Sequence, residues 1–218
     1  MNNTESIPFQ HLPVNNMSFS KRRLAFGVGV NDAPYLTQPI INGKKVICPF
    51  YLKWSSMMRR CYSETYQSNQ PTYIGCSVAQ EWHTFMDFRE WMERQEWEGN
   101  ELDKDILRPG NKVYGSDTCV FVDRATNALL NNNATKRGEW PIGVFYHKPS
   151  RKFMALCRSA GKKVFLGRYD TAEAAHNAWR IAKAKVITDC ADRQTDKRVR
   201  NALLLRASSM KKAVEGVQ

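Results

Sequence analysis

Cysteine pairs at metal-binding spacing are missing from this sequence. Its six cysteines, Cys48, Cys61, Cys76, Cys119, Cys157 and Cys190, form no CxxC motif, so no structural zinc is expected. They are also too sparse for a small disulfide-stapled secreted scaffold, and all six read as reduced thiols, most of them core fillers. No apolar run approaches the roughly 20 residues needed to span a bilayer. Met1 to Lys21 is polar and lacks the apolar centre of a signal peptide. A clean basic amphipathic anchor is absent as well. These absences predict a cytoplasmic protein without a membrane partner. Excess positive charge is nearly missing from residues 1–139, which hold 16 Lys and Arg against 15 Asp and Glu, a net of +1. Residues 140–218 hold 17 against 6, a net of +11, out of +12 for the whole chain. Lys and Arg displace condensed counterions from phosphates, so the last third predicts a polyanion partner.

What is present suffices for packed cores. The 218 residues allow one large or two small domains, and six Trp, ten Phe and eight Tyr supply large side chains. Residues 1–25 are rich in Asn, Ser and Pro without periodicity, which predicts a disordered tail. Residues 26–48 predict ordered loop with one short hairpin around Asn42-Gly43. Pro49 opens a helical pattern with Tyr51, Trp54, Met57, Met58 and Cys61 on its apolar positions. Trp82, Phe85, Phe88, Trp91 and Met92 form a second stripe, read as core packing. Strands are expected at 102–106 and 118–122, followed by a helix from Asp123 to Leu130. The composition changes across 133–139, which predicts a linker between a module at 26–132 and a domain at 140–188. Residues 189–218 read as a basic helical tail.

The clearest pattern lies between Trp140 and Val186. Gly143–His147, Lys152–Arg158 and Lys163–Tyr169 predict three strands, with turns at Pro149-Ser150 and Ala160-Gly161. Asp170-Thr171 starts a helix whose packing face is expected to hold Ala174, Ala175, Ala178, Trp179, Ala182 and Val186. Strand alternation puts Val144, Phe153, Ala155, Cys157, Val164 and Leu166 toward that helix. Phe145, His147, Met154, Leu156, Arg158, Lys163 and Phe165 fall on the opposite face. Exposed Phe and Met beside Arg and Lys suit a DNA groove, where cations meet phosphates and apolar groups meet thymine methyls.

The order strand–strand–strand–helix, with Gly143-Val144, Ala155, Gly161-Lys162 and the run Leu166-Gly167-Arg168-Tyr169-Asp170-Thr171-Ala172-Glu173-Ala174-Ala175, resembles the AP2 DNA-binding domain over about Pro141 to Val186. The resemblance implies a three-stranded antiparallel sheet packed on one helix, with the sheet in the major groove of double-stranded DNA. It sets Phe145, Arg158, Lys163 and Phe165 where AP2 domains touch DNA with Arg or Trp, and Leu156 where plant members carry an acid. His147 and Arg168 share the implied DNA-binding set. Lys148, Arg151 and Lys152 at the first hairpin are expected phosphate contacts.

Asn31-Asp32-Ala33, Tyr51 to Trp54, Arg60-Cys61-Tyr62, Val78 with Glu81-Trp82, Leu102 to Ile106, Gly110 to Tyr114, Cys119 to Val122 and Asn127 are similar to a phage family of HNH or homing endonucleases, over about 28–130. Phage members often carry an AP2 domain after this module, so the two resemblances support each other. Together they imply an α+β chain with an HNH-like ββα-containing N-terminal module, active in the host cytoplasm. The implied site holds one divalent ion, Mg2+ or Mn2+, on Asp103 and Asn127, with Asp105 and His83 as further catalytic candidates. At i, i+2 on a strand, Asp103 and Asp105 would share one face. Lys104 stands where the family has its general-base His, and a Lys of ordinary pKa is protonated at neutral pH. His83 is the histidine of this module available as a substitute base.

Three readings follow: a metal-dependent homing-type endonuclease, a noncatalytic DNA-binding regulator on a decayed nuclease scaffold, and a protein–protein adaptor using the Phe145/Phe165 face. The charge concentrated in residues 140–218 argues against the adaptor, and no small-molecule substrate is expected.

Overall fold

A computed structural model describes Phe9 and residues 12–130 and 139–215. The chain is α+β and divides into two compact units, Met1–Asp123 and Arg124–Gln218. The division falls ahead of the 133–139 linker read from composition, most of which lies outside the described residues. The helix Arg124–Leu130 (α5) belongs to the second unit, where Thr126 Oγ1 lies 3.3 Å from Cys190 Sγ and accepts from Gln194 Nε2 at 3.2 Å.

In unit 1 the segment read as a tail is ordered from residue 12 onward. It carries the short helix Asn16–Ser20 (α1), and Phe9 is buried in the core. The Arg22 guanidinium donates to the carbonyls of Asn31, Ala33 and Tyr35 at 2.7–2.8 Å, and backbone bonds from Val14 N to the Pro34 carbonyl and from Leu36 N to the Leu12 carbonyl join it in tying this segment to the next. Asn42 and Gly43, both at positive φ, turn Ile40–Ile41 (β1) into Lys44–Lys45 (β2), as the Asn-Gly pair requires. Pro49 starts the helix Pro49–Tyr62 (α2), which buries Trp54, Met57, Met58 and Cys61. Glu64–Asn69 (α3) follows. Trp82 sits in a 3-10 turn ahead of Phe85–Glu93 (α4), and Trp54 Nε1 donates to the Trp82 carbonyl at 2.8 Å. Ser77–Val78 (β3) pairs in parallel with Val113–Tyr114 (β5). Glu101–Asp103 (β4) pairs antiparallel with Val120–Val122 (β6), both shorter than the alternation predicted.

Unit 2 is layered. Val144–His147 (β7), Lys152–Ser159 (β8) and Lys162–Tyr169 (β9) form an antiparallel sheet in the order β7-β8-β9. Helix Ala172–Ala191 (α6) packs across all three strands, and its Thr171 cap accepts from Ala174 N at 3.1 Å. Val144, Ala155 and Ala175 form the buried seam, with Leu166 and Ala178 packed against it. Ala174, expected on the packing face, is exposed. Residues 197–215 are not a tail: Lys197–Glu215 (α7) lays Val199, Leu203 and Ala207 into a buried contact layer and packs on α6. The apolar spacing 199, 203, 207 is the helical stripe that makes this possible.

Gly143 holds β7 close to α6. Its φ is +80°, and a Cβ there would lie 2.1 Å from Trp179 Cδ1. The adjacent Ile142 carbonyl accepts from His176 Nδ1 at 3.0 Å. Replacing Gly143 by Ala forces the indole out of place and strains the backbone, so Gly143→Ala is expected to cost about 2–4 kcal/mol, read by urea unfolding of the full chain.

Candidate nucleic-acid interface

The outer face of the sheet, away from α6, is set by register. Phe145 lies opposite Met154, which lies opposite Arg168; Leu156 faces Phe165; Arg158 faces Lys163. Between the second and first of these rows β9 carries a bulge, marked by a register shift at Ala155/Leu156. Ala155 pairs with Gly167 and Leu156 with Phe165, so Leu166 is the extra residue, and its side chain packs into the core. Unbroken alternation from Phe165 would have turned Arg168 toward the helix. The bulge re-aims it to the outer face. Gly167 permits this at φ +138°, and a Cβ there would come 3.1 Å from the Tyr169 hydroxyl.

The two phenylalanines are unusually open for a sheet, Phe145 at 50% and Phe165 at 54% exposure. The Arg168 guanidinium lies 5.7 Å from the Phe165 ring centroid, within cation–π range. Arg158 and Lys163 are both exposed and directly opposite, a like-charge pair that destabilises a bare sheet. Neither has an ion-pair partner among the described residues. An anion laid across this face relieves that repulsion.

The hairpin residues divide into exposed cations and structural groups. Lys148 and Arg151 are exposed, with Arg151 at φ 51° closing the turn. His147 Nδ1 accepts from Ser150 N at 3.3 Å and lies 2.7 Å from Ser150 Oγ, capping that turn. Lys152 is paired with Asp170 at 2.6 Å, so its charge is partly met before any ligand arrives. On the helix-side face Tyr146 and Phe153 pack with Trp140, at ring separations of 4.8–6.1 Å.

The nuclease candidates of unit 1 engage their own surroundings. The strand ends at Asp103, so Asp105 lies in the following bend rather than beside it on a strand face. Asp103 Oδ1 accepts from the amides of Asp105 at 2.6 Å and Ile106 at 2.7 Å, folding that bend. Lys104 is buried; its Nζ donates to Asp105 Oδ2 at 2.7 Å and to the Asn111 carbonyl at 2.8 Å. His83 Nε2 lies 3.0 Å from the Val78 carbonyl and 3.3 Å from the Tyr62 hydroxyl. Asn127 sits on α5 of unit 2, whereas Asp103 belongs to unit 1. Among the described residues no group of three or more His, Cys, Asp or Glu is arranged to hold a metal ion. The six cysteines are buried free thiols, and burial pushes those of Cys61 and Cys119 up to about 12.

Burial pushes the Asp103 carboxyl above the ordinary carboxylate range, outweighing its two amide donors. The folded state therefore takes up this proton before the unfolded state does. Stability from this group rises as pH falls from neutral through the raised pKa, and the gain is complete below the unfolded value of about 3.9. Asp103→Asn keeps the acceptor oxygen without the charge. Unfolding curves at about pH 7 and pH 4.5 are expected to show wild type gaining stability relative to Asp103→Asn on acidification. A constant difference between the two proteins would refute the assignment. The chain matches no protein-family model, no curated protein and no solved structure.

Proposed function

We propose that unit 2 binds double-stranded DNA by laying the outer face of its sheet in the major groove, and that the protein acts as a DNA-binding factor rather than a nuclease. The observation that carries this is the outer face beyond the hairpin end, where Arg158, Lys163 and Arg168 surround exposed Phe145 and Phe165 and the neighbouring Asp170 carboxylate is held by Lys152. Three strands measure about 10 Å across, and the major groove is about 12 Å wide. Residues 140–218 carry a net of +11, the charge footprint of a phosphate-binding domain. Lys148 and Arg151 at the hairpin would reach the flanking backbone.

Affinity for duplex DNA is expected to fall linearly on a log–log plot against salt, because phosphate contacts release counterions. Arg158→Ala and Lys163→Ala should each weaken binding by about 1–3 kcal/mol if they reach bases, or lower the salt slope by about one if they reach phosphates. Fluorescence anisotropy over a salt series separates the two. Unchanged affinity and slope in both variants would sink the face assignment, and salt-independent or absent DNA binding would favour the adaptor reading.

The internal engagement of Asp103, Lys104 and Asp105 supports binding without cleavage. Supercoiled plasmid is expected to stay intact with EDTA, Mg2+ or Mn2+. Metal-dependent nicking that disappears in Asp103→Ala would overturn this and restore the endonuclease reading.

A further inference from the structure

We infer, resting on the duplex-binding reading above, that the centre of the outer sheet face recognises the C5-methyl groups of thymine. Beyond the His147/Lys152 row at the hairpin end, three rows across the sheet differ in chemistry. Phe145, Met154 and Arg168 form the first, Leu156 and Phe165 the second, Arg158 and Lys163 the third. No amide, hydroxyl or carboxylate side chain points outward from them. Apart from cationic donors, which pair best with guanine O6 and N7, the middle of the face thus has no hydrogen-bonding group with which to read base edges. What it does present is apolar surface, and the thymine methyl is the apolar group that base edges offer in the major groove.

The spacing agrees. Successive outward residues on a strand are about 6.6–6.8 Å apart, and base pairs rise by about 3.4 Å, so neighbouring rows lie about two base pairs apart. Two adjacent apolar rows therefore cover a block of about three base pairs, with the Arg158/Lys163 row about two base pairs further on. Base stacking is the competing use of an exposed ring. Here Arg168 lies over the Phe165 ring and occupies one of its faces, which favours lateral contact with methyl groups over intercalation or stacking. The exposure of Phe145 and Phe165 is then surface kept open for a partner that buries it.

The experiment starts from the duplex that the full chain selects from a randomised library. Its affinity is compared with duplexes in which single thymines are replaced by deoxyuridine, which removes one methyl and keeps every hydrogen-bonding group. Each contacted methyl is expected to cost about fourfold in affinity, within one central block of the site. In the double variant Phe145→Ala, Phe165→Ala, checked for folding by circular dichroism, the thymine–uracil difference should vanish while the salt slope stays at the wild-type value. Equal affinity for thymine and uracil duplexes, or a selected site without central thymine, would overturn the inference and leave DNA binding standing. Tighter binding of the matching single strand would show that the rings stack on bases and would also overturn it. Absence of salt-dependent binding to any duplex would remove the DNA-binding reading itself, and this inference with it.

Discussion

At Gly167 the backbone adopts φ +138°, an angle that side chains with a Cβ rarely tolerate, and β9 takes in one residue more than β8 opposite it. Arg168 depends on that insertion, while Leu166 keeps the inward place that alternation from Phe165 gives it. Leu166 turns inward to the seam of Val144, Ala155 and Ala175, where it adds apolar contact between sheet and helix. Arg168 turns outward to join Met154 and Phe145 and comes over the Phe165 ring. Straight pairing from Phe165 would have left Leu166 inward and brought Arg168 in beside it, burying a guanidinium at a desolvation cost far above that of the bulge. The bulge thus sets which face Arg168 joins without taking Leu166 out of the core.

The outer face is costly when bare. Two phenylalanines are half exposed, and Arg158 and Lys163 repel each other across adjacent strands. On the other side of the sheet Val144, Ala155 and Cys157 are buried and α6 packs across all three strands, while Tyr146 and Val164 stay exposed. Helix α7 packs on α6.

Unit 1 uses its charged groups differently. Lys104, Asp103 and Asp105 satisfy one another and the nearby backbone, and Arg22 is spent on three carbonyls. Arg89, itself buried, makes an ion pair with Glu93 at 2.7 Å and lies 5.0 Å from the Tyr35 ring centroid. These groups hold loops against a core built on Trp54, Trp82 and Phe85. That explains why a segment so rich in polar residues and turns remains compact: its long connections are fastened by side chains rather than by long strands.

Much of the fold was legible in the sequence wherever a rule acts over a few residues. Asn42-Gly43 specified a tight hairpin, Pro49 a helix start, Thr171 a helix cap, and alternation in 144–165 assigned Phe145, Arg158, Lys163 and Phe165 to one face. Charge alone set the strongly basic last third of the chain apart from the rest. Tertiary structure decided the rest, because the partners lie far apart in the chain. The order of the N-terminal segment depends on Leu12, Val14 and Arg22 meeting residues 31–36, and the place of α5 depends on Thr126 meeting Cys190 and Gln194. Asp103 and Asp105, expected to share a strand face, do not, because the strand ends at Asp103 and its carboxylate accepts from the amides of the following bend. Arg168 reached the outer face only through the bulge, since a period of two cannot foresee where one strand takes an extra residue to fit the other.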